Sequence, residues 1–449
     1  MDETPVVVDN ITLPSDANHF YYWVMKTLTS PEARSFHVFV HGQAGCGKSL
    51  LLKAISNGVR NRFGNENACI VSAPTAEASQ VIDGGTIHST FILSWGPTKL
   101  EEFLDGATMP QLNFLSLMKQ AKILLLDNIN FVDATLMARI DYRLQEVREI
   151  FEPFGGLPVI AFGLHPDFQK KTRPPIKLWS LFKIYELSSK NMRVPEDQAE
   201  IFETMRFDRD KNYLYYRLEQ TSSFCWDINQ TKDKVVNEFS RLCQNNPGEK
   251  FAILTSWKEI AHDLNQTIVS RFLGVKKLNP YDTDPSEYAK KWKANPKILT
   301  LAVNAPVVLT DNLPEMRSGA RGYIESIEDN EILVRFPTGL VSVQRMTYKG
   351  NPYFQQFPLQ LAYADTIERT QGTTFDGIIL VRNETWEWDE IANWRYHEDG
   401  YGELYTALSR CRSLENCRIT PLRLMKWEAP REVEQELQRM RDQCPFLGI

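Results

Sequence analysis

A phosphate-binding loop is the clearest chemical motif in this sequence. Residues 42–49 read Gly-Gln-Ala-Gly-Cys-Gly-Lys-Ser, which matches the spacing G-x-x-x-x-G-K-[ST]. The loop follows a short apolar run at 36–40 and precedes an amphipathic run at 50–63, so a strand, a loop and a helix are expected in that order. The sequence therefore predicts a nucleotide-binding site, with ATP as the expected nucleotide.

Each part of this loop has an expected role. Glycines let the backbone N–H groups and the helix N-terminus face a phosphate group. Lys48 is expected to neutralise β- and γ-phosphate oxygens, and the Ser49 hydroxyl is expected to ligate Mg²⁺. The predicted nucleotide-binding residues of the loop are Gly42, Gly45, Cys46, Gly47, Lys48 and Ser49.

A second motif places a carboxylate at the end of an apolar run. Residues 121–127 read Ala-Lys-Ile-Leu-Leu-Leu-Asp, which predicts a buried strand that ends in Asp127 at the carboxyl edge of a sheet. At that edge Asp127 would complete the Mg²⁺ site together with Ser49. The alternative is that Asp127 only caps the following turn.

The residue after this aspartate departs from the pattern of hydrolysing P-loop motors. Those motors usually carry a glutamate that accepts a proton from the attacking water, whereas this chain has Asn128, which cannot act as a general base. Loss of a positioned base typically costs about 10²–10⁴-fold in rate. Tight nucleotide binding with slow turnover is therefore expected, unless Asp133 or Asp167 serves as a substitute base.

The composition is that of an ordinary globular chain. Its 449 residues suggest roughly two to four domains. The longest apolar runs are far too short to span a membrane, and the acidic first residues carry no targeting pattern. Seven scattered cysteines predict an intracellular setting, in the nucleus of a eukaryote or otherwise in the cytoplasm. A net charge of −6 implies that any nucleic-acid contact is confined to a local groove.

Alternating strand and helix patterns predict an α/β fold. In the first half, apolar runs at 36–40, 68–73, 122–126, 158–162 and 184–187 predict a doubly wound parallel sheet. Runs at 251–255, 359–363, 378–381 and 418–420 predict a second α/β domain. Short strands between 306 and 344 predict a small inserted β-barrel. The expected domains are 1–190 and 191–449, with 300–355 as the insertion.

The order of further segments resembles the Pif-type and RecD-like helicases of superfamily 1B, including the helicase part of Helitron transposons. The resemblance runs from about residue 36 to 420 and rests on segments 73–78, 84–89, 187–193, 251–255 with Asn265, 304–307, 319–322, 357–367, 370–372 and 405–412. It implies two RecA-like parallel-sheet P-loop domains, with a small SH3-like β-barrel inserted in the second.

The same resemblance implies roles for further residues. Arg193 and Arg410 would act as arginine fingers on the γ-phosphate. Gln169 and Gly372 would belong to the nucleotide site. The residues that would contact single-stranded DNA, or a junction of single- and double-stranded DNA, are Pro74, Thr75, His88, Thr366 and Gln371. For each of these residues alone, a role as a helix cap or loop residue is the alternative.

Departures from the family pattern leave two functional hypotheses open. Besides Asn128, the glutamine of the segment 166–170 stands one place early, as Gln169, or is absent, and Glu368-Arg369 replaces the usual His-Lys. One hypothesis is an ATP-dependent DNA helicase or translocase that moves 5′ to 3′. The other is a nucleotide-dependent DNA-binding or adaptor protein derived from such a motor, with deficient hydrolysis.

Asn128→Glu tests whether the missing base limits the motor. The substitution should raise DNA-stimulated ATP hydrolysis about 10²-fold or more, because it restores a proton acceptor beside the attacking water. Steady-state phosphate release is the measurement. Unchanged turnover would mean that other departures limit the rate or that another base serves.

Overall fold

The fold is described from a computed structural model of the chain. The structure describes residues 4–30, 35–93, 109–163, 178–188, 198, 201–202, 232–271, 275–279, 281–282, 298–313, 316, 318–348, 351–370, 373–381, 403–419 and 431–446. The chain forms two compact units, the first made of Met1–Tyr215 with Lys426–Ile449 and the second of Tyr216–Met425. Within the described ranges, no helix has the length and apolar character needed to cross a membrane.

A parallel sheet forms the centre of the first unit. After a short hairpin of β1 (Val7–Val8) and β2 (Ile11–Thr12), its strands are β3 (His37–His41), β4 (Cys69–Ala73), β5 (Gly85–Thr86), β6 (Ile123–Leu126), β7 (Val159–Gly163) and β8 (Lys183–Glu186). The six strands lie in the order β5-β4-β6-β7-β3-β8, and every neighbouring pair is parallel. The five strands predicted for this half are confirmed to within one residue at each end.

Helices cover both faces of this sheet. They are α1 (Ser15–Thr29), α2 (Lys48–Phe63), α3 (Ala76–Val81), α4 (Ile87–Thr90), α5 (Met109–Gln120) and α6 (Ala134–Arg148). Successive side chains of a strand point to opposite faces, so Val38 and Val40 pack in one core with α1 and α2, and Phe39 packs in the other with α6. Burial on both faces explains why β4, β6 and β7 are almost wholly apolar.

The second unit contains a parallel sheet and several antiparallel ones. Its helices are α7 (Lys232–Asn245), α8 (Lys258–Val269) and α9 (Glu403–Leu408). Its strands are β9 (Phe251–Thr255), β10 (Lys276–Leu278), β11 (Tyr281–Asp282), β12 (Leu299–Leu301), β13 (Pro306–Leu309), β14 (Arg321–Ile327), β15 (Glu331–Phe336), β16 (Gly339–Gln344), β17 (Met346–Tyr348), β18 (Asn351–Gln356), β19 (Leu359–Leu361), β20 (Ala364–Thr366), β21 (Gly377–Val381) and β22 (Arg418–Ile419).

The parallel sheet of this unit has the order β20-β9-β21-β22. The antiparallel strands form a five-stranded sheet, β16-β15-β14-β13-β19, a three-stranded sheet, β11-β18-β17, and the pair β10-β12. The four short strands predicted between 306 and 344 are confirmed to within one residue at each end. In β15, the side chains of Ile332, Val334 and Phe336 are buried, as the alternating pattern requires.

One predicted strand of the second unit is wrong. The run 359–363 was expected to be a single strand of the parallel sheet, but β19 pairs antiparallel with β13, and only β20 pairs parallel with β9. The chain passes from one sheet to the other between them, where Ala362 N–H donates to Pro306 O and Ile253 N–H donates to Tyr363 O. The apolar run is long because it serves two sheets.

A buried carboxylate joins these two sheets. Asp365 on β20 is 3% exposed and forms an ion pair with Arg321, the first residue of β14. Arg369 Nη1 lies 3.6 Å from Asp365 Oδ1 and donates to Gln360 Oε1 at 2.9 Å. Two guanidinium groups therefore surround one buried carboxylate, which offsets the penalty of burying its charge.

The last helix of the chain packs with the first unit, so the two units have boundaries that differ from the expected domain boundaries. Helix α10 (Arg431–Gln443) belongs to the first unit, whose first segment runs to residue 215 rather than 190. Leu437 and Met440 are buried in the same hydrophobic cluster as Phe182 and Ile184. Ile184 N–H also donates to Cys444 O at 3.0 Å. A helix far along the chain thus covers the edge strand β8.

Met440→Ala tests the contribution of α10 to the first unit. Removal of this buried side chain should lower the free energy of unfolding by about 2–5 kcal/mol, because it leaves a cavity beside β8. Urea denaturation of the full chain is the measurement. The control is Gln438→Ala at an exposed position of the same helix, which should change stability by less than about 0.5 kcal/mol. Equal effects of the two variants would contradict the packing.

Candidate nucleotide-binding site

The loop between β3 and α2 has a backbone that favours glycine. Gly45 has φ of 83° and Gly47 has φ of 93°, both in the left-handed region that other residues rarely adopt. Gly42 is restricted by space instead, since a Cβ there would lie 2.6 Å from Cys46 Sγ. Gly47 forms the N-cap of α2, so the loop ends at the positive end of the helix dipole.

Lys48 is the first residue of α2 and its side chain turns back over the loop. Its Nζ donates to Gly42 O at 2.8 Å and to Gln43 O at 2.6 Å, and lies 3.8 Å from Cys46 Sγ. The ammonium group is therefore held above the curled backbone. A phosphate bound in the loop would offer the ammonium stronger, charged acceptors than these carbonyls.

Ser49 and Asp127 meet at the carboxyl edge of the sheet. Ser49 Oγ donates to Asp127 Oδ2 at 3.1 Å, although β7 lies between the strands that lead to these two residues. A hydroxyl and a carboxylate are oxygen ligands of the kind that Mg²⁺ prefers. Among the described residues, no group of three or more His, Cys, Asp or Glu side chains could hold a metal ion. Mg²⁺ would accordingly need phosphate and water oxygens beside these two.

The backbone after Asp127 bends sharply. Asn128 has φ of 51° and ψ of 46°, and its N–H donates to Asp127 Oδ1 at 2.9 Å. Asp127 therefore accepts hydrogen bonds at both carboxylate oxygens, which fixes its orientation. Asp133, a candidate substitute base, is exposed and caps α6 by accepting from Leu136 N–H at 2.7 Å. The other candidate, Asp167, lies outside the described residues.

Of the other predicted nucleotide-site residues, only Arg410 is described. Arg193, Gln169 and Gly372 lie outside the described residues. Arg410 stands just after α9 in the second unit, where its Nε donates to Thr406 O at 3.1 Å and its Nη2 donates to Ser409 Oγ at 3.0 Å. Its role as an arginine finger stays a prediction.

The predicted DNA-contacting residues have mixed surroundings. Ala73 pairs with Thr86 across β4 and β5, so the segments that carry Pro74, Thr75 and His88 leave the sheet at one edge. Thr75 is half-buried and caps α3, accepting from Ala78 N–H at 3.2 Å, and His88 is exposed on α4. In the second unit, Thr366 is buried in β20, and Gln371 is outside the described residues.

Two residues, Gln43 in the phosphate-binding loop and Asp16 on α1, were not among the site residues predicted from the sequence. Gln43 occupies a variable position of the loop motif, yet its side chain is buried. Asp16 on α1 accepts from Ser188 N–H at 2.8 Å and, through its backbone carbonyl, from Tyr185 hydroxyl at 2.8 Å. Neither contact has a local sequence signal, because each depends on how distant segments pack.

Together, a parallel sheet, a glycine-rich loop at the N-terminus of α2 and an acidic residue after β6 define a P-loop nucleotide-binding protein. Residues 13–214 match the family model of the PIF1-like helicases. The chain is 29% identical over 401 residues to the ATP-dependent DNA helicase PIF1 of Danio rerio, covering 85% of this chain and 58% of that protein. The chain spans little more than half of that relative.

Solved structures agree with this fold. Bacteroides Pif1 bound to single-stranded DNA superposes with a TM-score of 0.69 at 24% identity, covering 96% of this chain and 97% of that one. Pif1 helicase from Bacteroides with ADP-AlF3 and single-stranded DNA gives a TM-score of 0.68 at 24% identity, covering 96% and 98%. At this level of identity the likeness concerns the fold.

Gly42→Ala tests the close packing of the loop. The added methyl group would meet Cys46 Sγ, so ADP affinity should fall by about tenfold, the equivalent of about 1.4 kcal/mol. The double variant Gly42→Ala/Cys46→Ala removes the obstructing sulfur and should recover part of the loss. Calorimetric titration with ADP is the measurement. Wild-type affinity in the single variant, or no recovery in the double variant, would contradict this packing.

Proposed function

We propose that this chain is an ATP-dependent DNA helicase or translocase that acts on single-stranded DNA or on junctions of single- and double-stranded DNA. The observation that carries the proposal is the meeting of Ser49 with Asp127 beside Lys48, in a chain whose residues 13–214 match the model of the PIF1-like helicases. The activity named for the Danio rerio relative and the ADP-AlF3 and DNA named for the Bacteroides structures support the same conclusion.

The binding part of the proposed mechanism uses groups at known positions. The curled loop and the α2 N-terminus receive the phosphates, while Lys48 exchanges its carbonyl acceptors for phosphate oxygens. Ser49 and Asp127 would hold Mg²⁺, which would supply positive charge to the phosphate oxygens. We further propose that Arg193 and Arg410 reach the γ-phosphate as arginine fingers, and that Gln169 and Gly372 line the same site.

DNA movement requires the nucleotide site to change the grip on a strand. We propose that ATP draws the two units together and that hydrolysis releases them, so that single-stranded DNA advances 5′ to 3′. Pro74, Thr75, His88, Thr366 and Gln371 are the proposed DNA-contacting residues. The antiparallel sheets of the second unit fit the proposed SH3-like barrel inserted in the second of two RecA-like domains.

A second function is favoured by one specific observation. Asn128 supplies no base, and the Asp133 carboxylate serves as a helix cap. A chain that binds ATP tightly but hydrolyses it slowly would act as a nucleotide-dependent DNA-binding or adaptor protein. Both functions share the binding site and differ only in turnover.

Steady-state ATP hydrolysis, measured with and without single-stranded DNA, separates the two functions. A helicase should show turnover that DNA stimulates and that Lys48→Ala abolishes, because the variant loses the charge that binds the phosphates. Unwinding of duplexes with a 5′ or a 3′ single-stranded tail then tests the direction. ATP binding without turnover would favour the adaptor, and turnover that persists in Lys48→Ala would contradict both functions.

A further inference from the structure

Gln43 is the second residue of the phosphate-binding loop and it carries an unusual side chain environment. Its backbone carbonyl accepts from Lys48 Nζ at 2.6 Å, which places the residue beside the ammonium group of the site. Its side chain is part of a residue that is only 5% exposed. The amide oxygen Oε1 is buried and has no hydrogen-bond partner among the described residues. Within that part of the chain, the loop therefore holds a strong acceptor that is not used.

Leaving such an oxygen unpaired is costly. A buried polar group without a partner destabilises a protein by about 1–3 kcal/mol, and native structures contain few of them. The motif leaves this position variable, so phosphate binding alone does not require an amide here. The amide is therefore better explained by what it does during the reaction.

The site lacks the usual general base for ATP hydrolysis, and an amide can perform part of the role of that base. Asn128 stands where P-loop motors usually carry a base, and Asp133 is engaged as a helix cap. An amide cannot take a proton from water, but a glutamine can orient the attacking water in phosphoryl transfer. When Lys48 transfers its ammonium from the Gln43 carbonyl to a phosphate, the Gln43 segment is released from that bond.

We propose that Gln43 is the water-positioning residue of this site, an inference that rests on the proposed ATP hydrolysis. Its Oε1 accepts a hydrogen bond from the attacking water. The water oxygen bonds to the γ-phosphorus, and the bond from that phosphorus to the β–γ bridging oxygen breaks. ADP leaves with the electron pair of that bond, and the proton of the water passes to a phosphate oxygen. ADP and inorganic phosphate are the products.

Gln43→Met is the direct test, because methionine keeps the length and volume of the side chain without the amide. ATP turnover should fall by about 10²-fold, while affinity for ADP should stay at the wild-type level. Affinity for ADP with aluminium fluoride, which mimics the transferring phosphoryl group, should fall together with turnover. Thermal stability should be unchanged or higher, because an unpaired buried group is removed.

Gln145→Met is the matched control in the same unit. Gln145 lies on α6, and its amide donates to both carboxylate oxygens of Asp141 at 2.9 Å. That variant should keep wild-type turnover and wild-type affinity for the aluminium fluoride complex. If Gln43→Met does not fold, Gln43→Asn, which keeps the amide but shortens its reach, should show the same selective loss.

The outcomes separate this inference from the function on which it rests. If the wild type hydrolyses ATP and Gln43→Met hydrolyses it at the same rate, the role of Gln43 is overturned and the proposed hydrolysis stands. A wild-type protein that binds ADP but shows no turnover contradicts both. Equal loss of ADP affinity and turnover in Gln43→Met would also overturn the inference, because it would reveal a packing role in the loop.

Discussion

The hydrogen bond from Ser49 to Asp127 is the interaction on which the nucleotide site depends. Its two residues follow β3 and β6, which are separated in the sheet by β7, so the bond forms only when three strands stand in the right register. The hydrophobic clusters on both faces hold that register, because they bury alternate side chains of β3, β6 and β7. Packing of the whole first unit therefore sets a distance of 3.1 Å between two oxygens.

Much of this arrangement could be predicted from local sequence patterns. The apolar runs predicted as strands are confirmed to within a residue at each end except for 359–363, because burial demands apolar side chains at regular positions. Eight short strands, β1, β2, β5, β10, β11, β12, β17 and β18, were not predicted. The loop could be predicted from the sequence because only glycine tolerates the φ of 83° at Gly45 and of 93° at Gly47 without strain. The position of Asp127 could be predicted because a buried parallel strand delivers the residue that follows it to the carboxyl edge of the sheet.

Other features depend on contacts between distant segments and left no such pattern. The docking of α10 against β8 joins residues more than two hundred positions apart, through Met440, Leu437 and the ion pair of Arg441 with Glu186 at 2.7 Å. The run 359–363 was apolar enough for one strand, and only hydrogen bonding shows that it serves two sheets. The burial of Gln43 likewise follows from loop packing, since its position in the motif accepts many residues.

We expect Ser49 and Asp127 to form one oxygen site that binds a metal together with the nucleotide. Calorimetric titration of a non-hydrolysable ATP analogue, with and without Mg²⁺, tests it most directly when wild type is compared with Asp127→Asn. We predict that Mg²⁺ tightens binding to wild type by about tenfold or more, a gain of about 1.4 kcal/mol, and that Asp127→Asn loses most of that gain. An equal effect of Mg²⁺ on both proteins, or no effect on either, would contradict the account.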